Sequence, residues 1–205
     1  MSEKDEPVFY FGFGANMSSK TFQRGYRRLS PTSAERAVLR GYRLEFSEPG
    51  IPFFDPSFAN IAKDDNALVE GVLYRITPEE LDHLDISEGN RAYNIIKVPV
   101  EGAESGTVIA HAFQSRQHAH GLLPSKRYLD ILIEGAEEHG LSATYITMLK
   151  NTPHVDRNAY NWLRHNVFAV IRFLTRRGFP HPFRWWKNHH VRKTARKSAP
   201  SPKSQ

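Results

Sequence analysis

A chain of 205 residues and 23.5 kDa, 40% of it hydrophobic, is long enough to bury roughly 70% of its unfolded surface without covalent staples. It contains no cysteine, which excludes disulfides, thiolate zinc sites, iron–sulfur clusters and cysteine nucleophiles. The net charge of +6 is unevenly spread: from His154 onward there are twelve Lys and Arg against one acid, Asp156, so the preceding stretch is acidic. Residues 1–153 therefore read as one acidic domain, and residues 154–205 as a basic, aromatic extension.

The first apolar run, VFYFGF over Val8 to Phe13, predicts a buried strand ending in the turn GFGAN. Ser18 and Ser19 stand where an N-cap belongs, before a short helix through Arg27 that Pro31 ends. Ala34 to Ser47 alternates apolar and polar residues as a strand does, with Gly41 as a bulge. Gly50 to Pro56 reads as a loop punctuated by proline, followed by strands over Phe58 to Ala62 and Ala67 to Ile76 around a turn at Asp64 to Asn66. The sequence TPEE at Thr77 to Glu80 is a capping box with Pro78 at the first helical position, and predicts a helix that stops near Ser87 to Gly89.

Tyr93 to Val100 and Gly106 to Gln114 form a further strand pair. Ser125 then caps a helix over Lys126 to His139, with Gly140 closing it, and Ser142 opens another through Leu149. Strands that cluster before the helices define an α+β class. Beyond them, Asn158 to Arg177 has imperfectly amphipathic helical character, and the remainder interleaves tryptophan and phenylalanine with basic residues. Three readings of this extension stand: a solvated tail, attachment to an anionic membrane surface, and nucleic-acid binding, the last disfavoured because no nucleic-acid module is present. The N-terminal stretch lacks the basic region of a signal peptide, and no run of about 18 apolar residues is present. The expected location is therefore cytoplasmic, with peripheral membrane contact through the extension.

Two features could carry chemistry. FGFGANM sets two glycines one residue apart directly after a strand, and glycine's tolerance of positive φ would let such a turn offer consecutive N–H groups to an anion or a carbonyl. A plain tight turn explains the same residues. It is not a dinucleotide fingerprint, since Met17 replaces the third glycine, and it lacks the lysine of a phosphate loop. Glu88 lies at the end of LDHLDISEG, where partial burial could raise its pKa toward that of a general base; a solvated glutamate at a helix end is the competing reading. The ten histidines show no metal-ligand spacing, and no serine has a nucleophile elbow around it.

FGFGANM after the first strand, VEGVLYRIT before the capped helix, LDISEG followed by Tyr93, and PSKRYLDILIEGAEEHGL together resemble the gamma-glutamylcyclotransferase family over Val8 to Leu149. The resemblance implies a small mixed β-barrel with flanking helices. It also implies conversion of a small γ-glutamyl amino acid, peptide or amine to 5-oxoproline and the free amine, with no metal and no cofactor. It places ligand binding on Phe13, Gly14, Ala15, Asn16 and Met17, the catalytic glutamate on Glu88, and a pocket tyrosine on Tyr93. Ala15 stands where that family commonly has serine, and Phe13 where it commonly has tyrosine. The alternative implied by those two lost hydroxyls is a catalytically silent member of the fold that binds a small ligand.

Overall fold

The computed structural model describes residues 6–22, 29–51, 54–88 and 93–156, with only the backbone of Ile51 and Glu88. Five strands close into a barrel: β1 (Val8–Gly12), β2 (Ser33–Ile51), β3 (Asp55–Ile76), β4 (Tyr93–Gly102) and β5 (Gly106–Ser115). Their order around the barrel is β1-β3-β2-β4-β5. Every pairing is antiparallel except the one that closes the ring, where Phe9 and Tyr10 of β1 run parallel to Ala110 and His111 of β5. This is the expected mixed barrel. Its core is made by alternate residues of these strands, among them Phe11, Leu39, Ile61, Val72, Val100 and Ala110, because successive side chains of a strand point to opposite faces.

The long β2–β3 hairpin departs from the predicted elements in two ways. Asp64 to Asn66 is not a turn between two strands. Arg40 pairs with Leu68 and Tyr42 with Lys63, so residues 64–67 stand opposite Gly41 alone, as a wide bulge within one strand. A turn would pair the two halves with each other, whereas here both pair with β2. Within the bulge the Asn66 amide donates to Asp64 Oδ1 at 3.2 Å, a local bond that substitutes for the ladder. Gly41, at φ +76°, is the expected bulge residue on the other strand. The second departure is that Gly50 to Pro56 is mostly strand: Pro49 pairs with Ser57 and Ile51 with Asp55.

A further register shift, between Glu45↔Asn60 and Glu48↔Phe58, puts Phe46 and Ser47 opposite Ala59. One extra residue breaks the alternation of faces. Consecutive residues Ser47 and Glu48 are consequently both buried, at 5% and 0% exposure.

Among the described residues four helices flank the barrel. A 3₁₀ turn (Ala15–Met17) leads into α1 (Ser19–Phe22), after which residues 23–28 lie outside the described ones. The helix α2 (Pro78–Glu88) starts with the expected reciprocal cap: Glu80 N–H donates to Thr77 Oγ1 at 3.2 Å, and Thr77 N–H to Glu80 Oε2 at 2.9 Å. The helices α3 (Lys126–Glu138) and α4 (Ala143–Lys150) are capped by Ser125 and Ser142, each accepting from an amide three residues on at 3.1 Å. Gly140 follows α3 at φ +64°. The predicted helix over Asn158 to Arg177, the basic tail and its partners lie outside the described residues. No helix among the described residues is long and apolar enough to cross a membrane.

Candidate active site

The loop after β1 is built by close packing. Gly14 has φ −114° and ψ −142°, so the positive φ expected of a glycine nest is not used. The described glycines with positive φ are Gly41, Gly106, Gly121 and Gly140. Gly14 is needed for proximity: a Cβ there would stand 3.2 Å from Tyr128 Oη and 3.4 Å from the Ala59 methyl. Beyond it the 3₁₀ turn is closed by Met17 N–H donating to Gly14 O at 3.0 Å and Ser18 N–H to Ala15 O at 3.3 Å. The amides of Gly14 and Ala15 meet no acceptor among the described residues. Gly14, Ala15 and Asn16 are half-buried, while Phe13 and Met17 are buried. Phe13 tilts against Phe11 with ring centroids 6.2 Å apart, and both Phe13 and Met17 belong to the core.

Two phenols from other elements bond to this loop and a third packs beside it. Tyr74 of β3 places its hydroxyl 2.9 Å from Asn16 O and 3.2 Å from Met17 O, sharing one proton between two carbonyls. Burial, followed by the nearby Tyr10 and Glu138, pushes the Tyr74 phenol far above its ordinary pKa. The shift favours the protonated phenol, which donates to both carbonyls. Asn16 Nδ2 donates to Tyr10 Oη at 2.8 Å. Tyr128 of α3 accepts from Ala59 N–H at 3.1 Å, which fixes its hydroxyl beside Gly14. Phe58 and Phe46 pack edge-on to its ring, with centroids 5.1 Å and 6.4 Å away.

Aromatic packing connects the loop to the start of β4. Tyr10 meets Phe113 edge-on at 5.7 Å, and Phe113 meets Tyr93 edge-on at 6.3 Å. Asn16 and Tyr93 are thus joined through two intervening rings. Glu88 is the last residue of α2 and precedes Tyr93 by five positions in the sequence. Its side chain, with residues 89–92, lies outside the described ones.

Sequence reasoning missed the polar residues inside the same end of the barrel. Asn60, fully buried, bridges β3 to β5: its Oδ1 accepts from Ser115 N–H at 2.8 Å and its Nδ2 donates to Ser47 Oγ at 2.9 Å. Ser115 Oγ in turn donates to Glu48 at 2.5 Å. Glu45 gathers Ser47 Oγ at 2.6 Å, His118 at 3.0 Å and Arg43 at 3.1 Å. Burial opposes its ionisation, but those bonds and the Arg43 charge outweigh burial and hold its carboxyl below the usual value. No group of three or more His, Cys, Asp or Glu among the described residues could hold a metal ion.

The closed mixed barrel thus carries, after β1, a loop whose Gly14 and Ala15 amides meet no acceptor among the described residues and whose carbonyls are held by a buried phenol. The AIG2-like family model matches residues 68–149. The "Gamma-glutamyl cyclotransferase aclK" of Aspergillus oryzae is 26% identical over 198 residues, covering 84% of this chain and 71% of that protein. The gamma-glutamylcyclotransferase of Bos taurus is 26% identical over 149 residues, covering 70% and 78%. A solved gamma-glutamyl cyclotransferase shares the fold, with a TM-score of 0.67 at 23% identity over 75% of this chain and 92% of that one. The chain is similar in sequence to gamma-glutamylcyclotransferases and shares their fold.

Proposed function

We propose that the protein is a gamma-glutamylcyclotransferase: it cyclises the γ-glutamyl group of a small γ-glutamyl compound to 5-oxoproline and releases the amine, with Glu88 as general base and acid. The observation that carries the reading is the pair of amides, Gly14 and Ala15, that meet no acceptor among the described residues, on a loop bonded to Tyr74 and Tyr10 and packed beside Tyr128. The similarity to gamma-glutamylcyclotransferases supplies the reaction class, and the order of α2 and β4 in the chain supports Glu88 and Tyr93 as its neighbours.

The chemistry needs few groups because it is intramolecular. The substrate's α-amine attacks its own γ-carbonyl carbon, the new C–N bond closes a five-membered ring, and the original amide C–N bond breaks. Glu88 takes a proton from the attacking nitrogen and returns it to the departing one, so no water, cofactor or enzyme nucleophile is consumed. Holding the glutamyl chain curled contributes about 7–11 kcal/mol through proximity. Amides aimed at the former carbonyl oxygen each account for about 10²–10³ in rate.

The test is 5-oxoproline release from γ-glutamyl amino acids, γ-glutamyl-lysine and glutathione by the wild type and by Glu88→Gln. The substitution is expected to keep the fold and ligand binding while lowering turnover by about 100-fold or more. A fully active Glu88→Gln protein refutes the assignment of the base. A wild type that binds these compounds but turns none over is instead the silent, ligand-binding member of the fold.

A further inference from the structure

The strand β1 lies between β3 and β5 in the ring, but it ends at Gly12, and no ladder joins β3 to β5 among the described residues. Past that end the two strands are joined by side chains. Asn60 of β3 accepts the Ser115 N–H of β5 on its Oδ1 at 2.8 Å, and Gln114 Nε2 of β5 donates to Ile61 O of β3 at 3.0 Å. The Asn60 carbonyl also accepts Ile61 N–H at 2.8 Å. Two main-chain donors can meet only the carbonyl end of the amide, so its partners fix which way the group points.

The other end of the amide reaches β2. Its Nδ2 donates to Ser47 Oγ at 2.9 Å and lies 3.4 Å from both Glu45 Oε1 and His118 Nδ1. Asn60 is fully buried, and its side chain acts as an inserted peptide unit that links β3, β5 and β2 at this end of the barrel.

Both parts of the candidate site meet at this point. Ala59, the preceding residue, gives its N–H to Tyr128 Oη, and its methyl stands 3.4 Å from where a Gly14 Cβ would be. Ser115, which Asn60 holds, is the cross-strand partner of Tyr93. Consecutive residues of a strand face opposite sides, so residues 59 and 60 connect the loop that carries the Gly14 and Ala15 amides with the start of β4.

We infer that Asn60 is a positioning residue: it fixes the separation between the Gly14 and Ala15 amides and Tyr93, and so the width of the place that receives the γ-glutamyl unit. This rests on the cyclotransferase reading and adds to it a residue that touches no reacting atom. A neutral amide suits the position, because a carboxylate of the same shape would offer two acceptors where a donor is needed, facing the Glu45 carboxylate.

The experiment uses the full chain and reads 5-oxoproline release from γ-glutamyl-alanine, γ-glutamyl-lysine and glutathione. Asn60→Asp keeps the shape and makes the donor depend on protonation. Burial and Glu45 raise the pKa of an acid at position 60, while a protonated His118 lowers it. Below that pKa the neutral acid again donates to Ser47, and above it the carboxylate cannot. Relative to wild type at the same pH, and normalised to folded protein, kcat/KM of Asn60→Asp is expected to be about tenfold or more lower at about pH 9 and to return to within about threefold at about pH 5. A ratio that stays the same across that range overturns the inference, because a merely structural asparagine would let the melting temperature follow pH without changing the rate of the molecules that remain folded. Ser47→Ala is the milder variant, removing the nearest acceptor of Nδ2 and leaving both bonds to Oδ1. It is expected to raise KM about threefold or more with kcat within about twofold of wild type, and an unchanged KM in that folded protein overturns the inference on its own. A wild type that releases 5-oxoproline from none of the three compounds overturns the cyclotransferase reading and the inference together, whereas an active wild type with indifferent variants overturns the inference alone.

Discussion

Replacing Gly135 with alanine tests whether loop position, rather than loop composition, sets activity. Gly135 is the residue of α3 that lies directly on the 3₁₀ turn: an added Cβ would stand 2.6 Å from Ser18 N, 2.7 Å from Met17 C and 2.8 Å from Met17 Cβ. Carbon contacts settle near 3.5–4.0 Å, so the helix and the turn must separate by about 1 Å. Two of the three clashing atoms are backbone, and no side-chain rotation relieves them. The turn carries Met17 O, which Tyr74 holds, and the Gly14 and Ala15 amides just before it. A displacement of about 1 Å at positioned groups costs about 10²-fold in rate. Overpacking costs about 1–3 kcal/mol, but alanine regains about 1 kcal/mol of helix propensity, leaving a net loss of about 0–2 kcal/mol. At roughly 2–4 °C per kcal/mol for a domain of this size, the melting temperature falls by several degrees at most. The assay pairs kcat/KM for 5-oxoproline release with thermal denaturation, and Gly140→Ala is the control, since Gly140 has φ +64° and nothing within 4 Å. That control should lose stability and keep activity. A Gly135→Ala protein with wild-type kcat/KM refutes the claim that α3 sets the loop.

Tyr74→Phe removes the hydroxyl shared by Asn16 O and Met17 O; leaving those carbonyls without their donor is expected to cost about 1–3 kcal/mol in chemical unfolding and to raise KM, whereas an unchanged KM would show that the loop is held without it. Glu45→Gln reads the polar network by pH. Because the folded pKa of Glu45 lies below its ordinary 4.5, its ionised form stabilises the fold above that pH, and the contribution disappears as pH falls through the folded value. The stability gap between wild type and Glu45→Gln should therefore be open at about pH 7 and shrink progressively as the pH is taken below 4.5; a gap that stays constant over that range would remove the network from the stability of the barrel.

The readable parts of the fold were those decided by short-range chemistry. Thr77 with Glu80, Ser125 and Ser142 each announced a helix start because an N-cap needs only a side-chain oxygen and an amide two or three residues on. Gly41 announced a bulge for a similarly local reason. What escaped were consequences of register. Asp64 to Asn66 has the composition of a turn, and only its pairing on both sides with β2 makes it a bulge. Glu48 looks like a surface residue until the one-residue shift at Phe46–Ser47 turns it inward. The loop after β1 was legible through FGFGANM, but Tyr74 and Tyr128, which pack against it, read as ordinary core aromatics. Their hydroxyls acquire a role only when strands and helix are assembled. The signal available was weak: Tyr74 lies in an apolar strand, and a buried phenol must find a partner for its hydroxyl.

The two departures from the family pattern, Phe13 and Ala15, bear on whether the site works, and the packing decides how. Phe13 is buried against Phe11 in the core, and a hydroxyl there would need a partner of its own. The loop that follows is tied by the Tyr74 hydroxyl and by its own Asn16 bonded to Tyr10, none of which is Phe13 or Ala15. Loss of those two hydroxyls therefore removes neither the anchor of the loop nor the amides of Gly14 and Ala15, which are main-chain groups indifferent to the side chain beside them. On the proposed reading, a serine at position 15 would act on ligand affinity rather than on the loop's own anchoring. A reaction that draws its nucleophile from the substrate tolerates that loss better than one requiring a hydroxyl to attack, since the part left to the protein is a fixed geometry and a single proton carrier.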